Sequence, residues 1–444
     1  MMVMKFGGSS VRNAEMIRRV IDIARGRLAE SPVLVASAMG KTTDMLVLVA
    51  DHAQAGDREA AFTMIERLEQ SHFAAARELV SDAAGLERAV CVLFEELRGL
   101  TQGIYLIREC SPRSRDALLS FGERLSTLII TAAARELGVD AELVDARSLI
   151  RTNGDFGGAS PEMDASTRLI RSRLRPRPDH LYVTQGFIGS TVEGVTTTLG
   201  RGGSDYSATI LGAALEVASV EIWTDVTGIM TSDPRITPDA RTIPAISYDE
   251  AAELAYFGAR VVHPYTILPA VHRAIPVWVR NTSQPEEPGT RIQAQAEGVG
   301  IRAIASKSGI TLVTVQSSRM LNAYGFLRAL FAVFDLHRVS VDLVATSEVS
   351  VSMTVDREVD VAPIVADLSR LGEVTVEREK SIICIVGRGV FQNAGLLSDV
   401  FAAVDPSPVR MISLGSSDIN LSIVVAESDA IRVVRSLHAR LFTR

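Results

Sequence analysis

Apolar and polar positions alternate in blocks along the first half of the chain, and these blocks predict strands alternating with helices. Residues 3–6 (VMKF) can form a buried strand, and residues 33–36 (VLVA) are an apolar run of strand length. Apolar residues recur at helical spacing over residues 16–28. Residues 45–108 contain few glycines and no proline, which predicts a mostly helical cover. Together the blocks predict an α/β fold, an open sheet covered by helices on both faces.

The last third of the chain has a different pattern, in which short strands and helices form two similar units. Residues 347–351 (SEVSV) parallel residues 417–421 (SDINL), 70 positions further along. The repeat indicates two copies of one supersecondary unit. In each copy the order strand, helix, strand, strand, helix, strand predicts a ferredoxin-like fold.

These patterns divide the chain into two predicted domains. We place the first over residues 1–295 and a C-terminal region over residues 305–444, whose two units cover about 308–378 and 379–444. Two prolines flank a pair of glutamates at residues 285–288, which we interpret as a hinge. Small apolar sheets of this kind need packing partners, so we expect a homodimer, or a dimer of dimers, through the C-terminal units.

Composition and charge narrow the class of protein. The formal net charge is −7, which argues against nucleic-acid binding because that function needs a basic surface. No long apolar run indicates a signal peptide or a membrane span. The three cysteines and seven histidines show no spacing typical of a metal site or a disulfide framework. We therefore expect a cytoplasmic protein without a resident metal and without membrane contact.

The first candidate for chemistry is the end of the first predicted strand, where Lys5 and Phe6 run into Gly7, Gly8, Ser9 and Ser10. The glycine pair lets the backbone turn sharply and approach a ligand closely. A helix follows, so its N-terminus and the free N–H groups of the turn suit an anion. The lysine precedes the glycines, which distinguishes the stretch from a P-loop.

A second glycine-rich junction lies at residues 196–207, before a predicted helix of small residues over 208–215. Arg201 suits a bidentate contact with a carboxylate. Gly202 and Gly203 can present N–H groups to phosphate oxygens. Asp205 is placed to orient Lys5 or to lie near a magnesium ion.

Three further stretches complete a pattern that suits phosphoryl transfer, which depends on positioning and charge stabilisation. The hydroxyl-rich turn at 37–44 and Glu123 near a helix start could contact a substrate, and the loop at 223–235 suits a nucleotide. No catalytic base is evident. A carboxylate acceptor would need none because it is already ionised at neutral pH, so the pattern favours formation of an acyl phosphate.

The chain resembles the aspartate kinases of the amino-acid kinase superfamily nearly end to end. The resemblance rests on six motifs, at residues 5–11, 37–43, 122–123, 185–189, 197–206 and 223–235. The C-terminal region resembles the paired ACT units of that family. Its segments 320–327 and 341–348 resemble the lysine-binding segments of lysine-sensitive members.

The resemblance implies ATP- and magnesium-dependent phosphorylation of the L-aspartate side-chain carboxylate to 4-phospho-L-aspartate, the first step of lysine, threonine and methionine synthesis, with feedback inhibition by lysine. The implied catalytic residues are Lys5 and Asp205. The implied substrate contacts are Ser37, Thr43, Glu123, Phe187, Arg201 and Ser204. The implied ATP contacts are Lys5, Gly7, Gly8, Gly202, Gly203, Thr224, Asp225, Met230, Arg235 and Arg260. The implied effector contacts are Met320, Ala323, Gly325, Phe326, Leu327, Val341, Asp342, Ser347 and Glu348.

Four positions depart from the family pattern. Ser9 stands where threonine is usual, Arg260 where a lysine lies near the phosphates, Met230 where a tyrosine covers the nucleotide, and Ala323 where a serine contacts the effector. Arginine keeps the charge of lysine but not its point geometry, so these changes bear on nucleotide affinity and effector strength. Two alternatives stay open: an amino-acid kinase for glutamate, acetylglutamate or a nucleotide, and a catalytically weak amino-acid sensor.

Overall fold

The computed structural model describes residues 1–258, 262–296, 298, 300–321, 324–389, 394–415 and 418–442. Two residues with predicted roles, Arg260 and Ala323, lie outside this described part of the chain. The described residues form two compact units, which consist of 1–229 with 262–296, and 230–258 with 298–442.

Strands and helices alternate along both units. The strands are β1 Met2–Phe6, β2 Pro32–Ala36, β3 Asp140–Leu143, β4 His180–Gln185, β5 Ile188–Ser190, β6 Thr196–Thr198, β7 Val220–Thr224, β8 Ala245–Ser247, β9 Val277–Asn281, β10 Thr290–Gln293, β11 Gly300–Gln316, β12 Val344–Thr346, β13 Ser350–Asp356, β14 Glu373–Arg388, β15 Met411–Leu414 and β16 Asn420–Ala426. The helices are α1 Ala14–Arg25, α2 Thr42–Ala55, α3 Arg58–Leu79, α4 Ala83–Ile107, α5 Pro112–Leu119, α6 Phe121–Glu136, α7 Met163–Arg173, α8 Gly203–Leu215, α9 Tyr248–Tyr256, α10 Pro264–His272, α11 Phe326–Leu336, α12 Val361–Leu368, α13 Ala394–Val404 and α14 Glu427–Phe442.

The first unit is built on a sheet with the strand order β3-β4-β2-β1-β7-β9-β10. Its strands run parallel except β10, which is antiparallel to β9. From β1 the chain moves to β2 on one side, and β7 lies on the other side. The carboxyl end of β1 is therefore a switch point, the place where open α/β sheets bind ligands.

Helices cover both faces of this sheet, as the sequence predicts. Met2, Met4 and Phe6 share one face of β1 and join a buried core with residues of α1, α2, α3, α4 and α6. Because side chains alternate along a strand, Val3 and Lys5 point to the opposite face. That face is covered by α8, which packs on β1 and β2 and is itself flanked by α7 and α10.

Several predicted elements of this unit need correction. The predicted helix over 208–215 begins earlier, at Gly203, because Gly202 adopts a left-handed conformation with φ of 69° and starts the helix there. The predicted hinge at 285–288 is instead the loop of the β9–β10 hairpin. In that loop Gly289 has φ of 74°, and a Cβ would overlap the carbonyl oxygen of Val279. The helical cover over 45–108 is confirmed as α2, α3 and α4.

One stretch of the first unit, Pro112–Glu136, is long and apolar enough to cross a membrane by length and composition alone. The structure buries 78% of its most apolar window. Leu125 and Ile129, for example, are fully buried in the core shared with α1 to α4. The stretch therefore has the environment of core helices, here α5 and α6.

The second unit contains a six-stranded antiparallel sheet with the order β12-β13-β11-β14-β16-β15. The long strands β11 and β14 pair along nearly their whole length and serve two ferredoxin-like folds. The first fold uses residues 310–380, in the predicted order. The second fold uses residues 381–442, but its fourth strand is 300–307, which comes before the first fold in the chain.

This connectivity corrects the predicted order of the second fold. The edge of residues 382–388 pairs with residues 300–307, so the fourth strand of this fold comes from a segment that precedes the first fold. An unpaired edge would leave backbone N–H and C=O groups without partners. Residues 230–258 also pack in this second unit, although the predicted first domain extends to residue 295. The domain boundaries themselves stay a prediction.

Candidate active site

Lys5 and Asp205 form an ion pair at the carboxyl end of β1. Lys5 Nζ lies 2.6 Å from Asp205 Oδ1, and the two side chains are only 11% and 13% exposed. Asp205 lies in the first turn of α8, where the helix dipole stabilises a carboxylate. Partial burial strengthens the pairing, so the ammonium group of Lys5 is held in a fixed position.

The loops after β1 and β2 meet directly beside this pair. The amide of Gly40 donates to the carbonyl oxygen of Gly8 over 3.0 Å. A Cβ on Gly8 would lie 2.8 Å from the carbonyl oxygen of Gly40, so the close approach requires glycine. The amide of Ser37 donates to Phe6 over 3.0 Å. These contacts fix the hydroxyl-rich turn of residues 37–44 against the lysine strand.

The N-terminus of α8 closes the other side of the site. A Cβ on Gly203 would lie 2.7 Å from Cδ2 of Phe187, so this residue must be glycine for the ring to pack there. The backbone of Phe187 is held at φ of 68°, and its amide donates to the hydroxyl of Ser207 over 2.9 Å. The first N–H groups of a helix have no carbonyl partner within it, so this end of α8 suits an anion.

Glu123 is the most unusual titratable group of the site. It is 3% exposed; its Oε1 accepts a hydrogen bond of 3.1 Å from the amide of Ala38, and its Oε2 has no hydrogen-bond partner among the described residues. Burial raises the pKa of this carboxyl to about 8, although the Ala38 amide and the charge of Lys5 lower it. A buried, half-satisfied carboxyl suits a cationic ligand.

Arg201 lies on the loop between β6 and α8 and is exposed. Among the described residues it has no hydrogen-bond or ion-pair partner, unlike most arginines of this unit. Its neighbours Gly200 and Gly202 have φ of 74° and 69°, which turns the loop tightly around it. The guanidinium is thus available for a carboxylate at the cavity wall.

These residues line one cavity of about 370 Å³. All six predicted substrate contacts and both predicted catalytic residues line it, as do Gly8, Gly202 and Gly203. The lining is Lys5, Gly8, Ser37, Ala38, Gly40, Thr43, Glu123, Phe187, Gly200, Arg201, Gly202, Gly203, Ser204 and Asp205. The sequence analysis names no role for Ala38, Gly40 or Gly200, although each lies inside a stretch that it singles out.

The remaining predicted ATP contacts among the described residues do not line this cavity. Gly7 donates to the carbonyl of Trp223 over 3.1 Å, which joins the end of β1 to the end of β7. Thr224 and Asp225 follow there, with the threonine hydroxyl 3.1 Å from the carboxylate, and do not line the cavity. Met230 and Arg235 belong to the second unit. The exposed guanidinium of Arg235 donates hydrogen bonds to both carboxylate oxygens of Asp233.

Residues that border the two predicted effector segments are bonded to each other in the first ferredoxin-like fold. The amide of Ser317 donates to the carbonyl of Val349 over 2.7 Å. This bond joins the turn that contains Met320 to the turn of residues 347–350, where the Ser347 hydroxyl lies 2.8 Å from that of Ser350. Gly325, with φ of 83°, begins α11 and is followed by Phe326 and Leu327. Val341 packs against the core of this fold, and Glu348 is exposed.

Asp342 is already occupied in this arrangement. Its side chain is 4% exposed, its Oδ2 lies 2.8 Å from Nζ of Lys307, and its Oδ1 accepts from the hydroxyl of Tyr256. Lys307 lies 2.8 Å from Asp356 as well. The sequence analysis predicts that Asp342 meets an effector, and the structure shows that a ligand ammonium would have to compete with Lys307.

Comparison with known proteins places the chain in a family. Residues 1–281 match the amino acid kinase family and residues 383–441 match an ACT domain. The chain is 38% identical over 455 residues to lysine-sensitive aspartokinase 3 of Escherichia coli K12, with 99% of each covered. Two crystal structures of E. coli aspartokinase III share the fold at 37% identity. The complex with aspartate and ADP (R-state) has a TM-score of 0.84 and full coverage of both chains. The complex with lysine and aspartate (T-state) has a TM-score of 0.83 and covers 100% of this chain and 99% of that one. The chain therefore belongs to the amino acid kinase family and, within it, to the aspartokinases.

Proposed function

We propose that this chain transfers the γ-phosphoryl group of MgATP to the side-chain carboxylate of L-aspartate, giving 4-phospho-L-aspartate and ADP. The observation that carries the proposal is the cavity in which Glu123, Arg201 and the Lys5–Asp205 pair converge on the N-terminus of α8. The E. coli relative that binds aspartate and ADP shares this fold over its full length. These two findings together support an aspartate kinase rather than a kinase for another acceptor.

The two ends of the substrate's amino-acid group match two groups of opposite charge. The free guanidinium of Arg201 suits the α-carboxylate, and the buried carboxyl of Glu123 suits the α-ammonium. Ser37, Thr43, Phe187 and Ser204 line the space between them. The side-chain carboxylate of the substrate would then extend towards Lys5, which is the geometry that the transfer needs.

The chemical step forms a bond between a carboxylate oxygen and the γ-phosphorus and breaks the bond to the β–γ bridging oxygen. No proton has to move, because the attacking carboxylate is already ionised. Lys5, fixed by Asp205, would stabilise charge on the transferring group, and the N–H groups of Gly8 and Ser204 would contact phosphate oxygens. The N–H group of Gly203 already donates to the carbonyl oxygen of Gly200 over 3.0 Å, so Gly203 would contribute by allowing close approach. The protein's part is thus positioning and electrostatics.

Magnesium enters as part of the MgATP substrate. The described residues contain no group of three His, Cys, Asp or Glu side chains placed to hold a metal ion. Mg²⁺ keeps several waters and binds phosphate oxygens readily, so the nucleotide phosphates and water would supply most of its ligands. The predicted contacts at Thr224, Asp225, Met230, Arg235 and Arg260 stay part of this proposal.

An ADP-release assay with MgATP and L-aspartate tests the proposal, with L-glutamate as the competing acceptor. We expect turnover with aspartate only, and a Lys5→Met variant should lose about two to three orders of magnitude in kcat. Lys380→Met is a matched control, since Lys380 pairs with Glu377 in the second unit and should leave kcat unchanged. Equal turnover by the Lys5 variant would remove Lys5 from the mechanism, and turnover with glutamate alone would change the substrate.

We also propose that lysine inhibits the enzyme by binding between the segments 320–327 and 341–348. The bond between Ser317 and Val349 brings these segments together, and the E. coli relative that binds lysine shares the fold. Because Lys307 and Tyr256 hold Asp342, a bound ammonium would displace them. Tyr256 belongs to α9, so binding would loosen that helix.

Titration of activity with lysine tests this regulatory proposal. A Tyr256→Phe variant lacks one partner of Asp342, so we expect half-inhibition at a lysine concentration about threefold to tenfold lower. Tyr105→Phe, in α4 of the first unit, is the matched control and should not change it. If lysine inhibits both variants at the same concentration as the wild type, Asp342 does not take part in the response to lysine.

The proposed homodimer has a candidate surface on α11. Leu327 and Phe331 share one face of this helix and are 42% and 37% exposed, and Leu321 before the helix is 56% exposed. Exposed apolar patches of this kind typically mark an association surface. Light scattering during size-exclusion chromatography would measure the assembly, and a Phe331→Asp variant should shift it towards the monomer. A wild-type monomer would contradict the proposal.

A further inference from the structure

Asp116 is a buried carboxylate that lies outside the cavity and joins two of its loops. It is 1% exposed and lies on α5, the helix immediately before α6. It accepts hydrogen bonds from the Gly157 amide at 3.0 Å, the Thr198 amide at 2.8 Å and the Thr198 hydroxyl at 2.8 Å. A carboxylate with three donors is fully satisfied, and removal of its charge would leave buried N–H groups without good partners.

The first loop held by Asp116 leads directly to Arg201. Thr198 ends β6, and only Leu199 and Gly200 separate it from Arg201. The carbonyl of Thr198 also accepts from the Ala159 amide over 2.8 Å, and the Leu199 amide donates to Phe187 over 2.8 Å. Both backbone groups of Thr198 and the amide of Leu199 therefore have a fixed partner.

The second loop held by Asp116, around Gly157, packs against the loop that carries Arg201. A Cβ on Gly200 would lie 3.3 Å from the Cα of Gly158 and 3.5 Å from the carbonyl oxygen of Gly157. Since Asp116 holds the Gly157 amide, it fixes the surface on which Gly200 rests. Asp116 thus holds the loop that carries Arg201 in two ways, through its hydrogen bonds to Thr198 and through the Gly157 loop that packs against Gly200.

The same residue is rigidly connected to Glu123. Asp116 and Glu123 lie on successive helices, and the amide of Ser120 between them donates to the Asp116 carbonyl over 3.1 Å. We propose that Asp116 is a positioning residue that sets the distance between Arg201 and Glu123, and thereby the fit of an α-amino acid whose carboxylate and ammonium groups contact them. This inference rests on the proposed function.

The geometry gives the variant a specific kinetic signature. In Asp116→Asn the side chain keeps its shape, but its NH₂ group faces a donor of Gly157 or Thr198, so the arginine loop loses at least one anchor. We expect KM for L-aspartate to rise about tenfold, because loss of a hydrogen bond to a charged group changes an equilibrium constant by about tenfold to hundredfold. KM for MgATP should not change, since Lys5 and the β1 loop do not contact Asp116. A loss of folding alone would lower kcat and leave both KM values intact.

The test combines kinetics with hydrogen exchange of the substrate-free enzyme. Asp116→Asn should speed amide exchange in peptides covering 153–160 and 198–203, and Thr198→Val, which removes only one donor, should do so less. Asp164→Asn, an exposed carboxylate in the first turn of α7, is the matched control. Unchanged exchange in both loops would overturn the inference whether or not the protein phosphorylates aspartate. Faster exchange with an unchanged KM for aspartate would also overturn it, whereas a wild-type enzyme inactive on aspartate would overturn only the proposed function.

Discussion

At the scale of single residues, the site contains two acids in contrasting environments, Asp205, which is partly buried, and Glu123, which is fully buried. Asp205 is paired with Lys5 at 2.6 Å, so its charge is compensated within the protein. Glu123 has an amide on one oxygen and no partner on the other among the described residues, and burial raises its pKa to about 8. In the proposed function, the first acid orients a cation that is always present, and the second binds a cation that the substrate brings.

This contrast predicts a pH dependence of aspartate binding. Below about pH 8 the free protein holds a proton on Glu123, and the substrate ammonium favours the ionised carboxylate, so binding releases that proton. The dissociation constant for aspartate should therefore fall by up to about tenfold per pH unit as pH rises towards 8, and then level. Titration calorimetry in buffers of different ionisation enthalpy would count the proton directly.

A Glu123→Gln variant is the control for this prediction, because it cannot release the proton. Its aspartate binding should be weak and independent of pH between 6.5 and 8.5. The sign for stability is the opposite of the sign for binding. The unfolded chain loses the proton near 4.5 and the folded chain only near 8, so stability falls as pH rises between these values, and the variant should not show that fall. Proton release near zero for the wild type at pH 7 would contradict the assignment.

At the scale of elements, the junction between β6 and α8 supplies more of the cavity lining than any other loop, because its glycines allow close packing. Gly203 is the clearest case, since it lies in a helix where alanine would otherwise be preferred. A Cβ there would lie 2.7 Å from the Phe187 ring and 3.2 Å from the Phe187 Cα. The backbone of Phe187 is held at φ of 68°, so the ring and not the backbone must move.

Gly203→Ala should therefore separate activity from stability. Alanine favours the helix by about 1 kcal/mol, which offsets part of the steric cost, so we expect a small change in the unfolding midpoint. Displacement of the Phe187 ring should lower kcat/KM for aspartate about tenfold or more.

Gly103→Ala is the matched control, because Gly103 lies inside α4 with nothing within 4 Å of its virtual Cβ. It should raise the free energy of unfolding by up to about 1 kcal/mol and leave kinetics unchanged. Denaturant titration and steady-state kinetics of both variants would check the pair. Similar kinetics for the two variants would show that the Phe187 contact does not shape the site.

Elements with strong local signals could be predicted from the sequence, and contacts between distant segments could not. The strands around Lys5 follow from short, mostly apolar runs, and the helices over 45–108 follow from a stretch with few glycines and no proline. The glycine-rich motifs located the cavity loops. Asp116 gave no such signal, because its partners Gly157 and Thr198 lie 41 and 82 positions away. The occupation of Asp342 by Lys307 was equally hidden, since pairing across 35 positions depends on the fold.

At the scale of the whole chain, the two ferredoxin-like folds of the second unit are interlocked rather than consecutive. The strand at residues 300–307 completes the second fold, yet the entire first fold follows it before the chain returns at 381. Ile304 is 2% exposed and packs with Ile383 and Ile385 in the core of the second fold. Val313, on the same strand β11, packs in the core of the first fold with Leu330.

This connectivity predicts which of the two folds is destabilised when a side chain in β11 is shortened. Ile304→Ala should destabilise the second fold by about 2 to 4 kcal/mol and speed amide exchange in residues 382–388 and 420–426. The matched variant Val313→Ala, nine positions further along the same strand, should instead speed exchange in residues 350–356. Exchange by mass spectrometry reads both regions in one experiment. Faster exchange of 350–356 alone in the Ile304 variant would contradict the interlocked arrangement.

The register of the two long strands has a consequence for how this protein can be rebuilt. Lys307 pairs with Ile382 and Ile310 with Lys380, so the chain leaves the second fold and re-enters it at adjacent points. A short turn could join Lys307 to Ile382 directly. The residues between them, which form the first fold, could then be removed as a cassette without breaking the sheet of the second fold. Exchanging that cassette for one that recognises another metabolite would then give the same catalytic machinery a different sensor, with both splice sites confined to a single β-bulge.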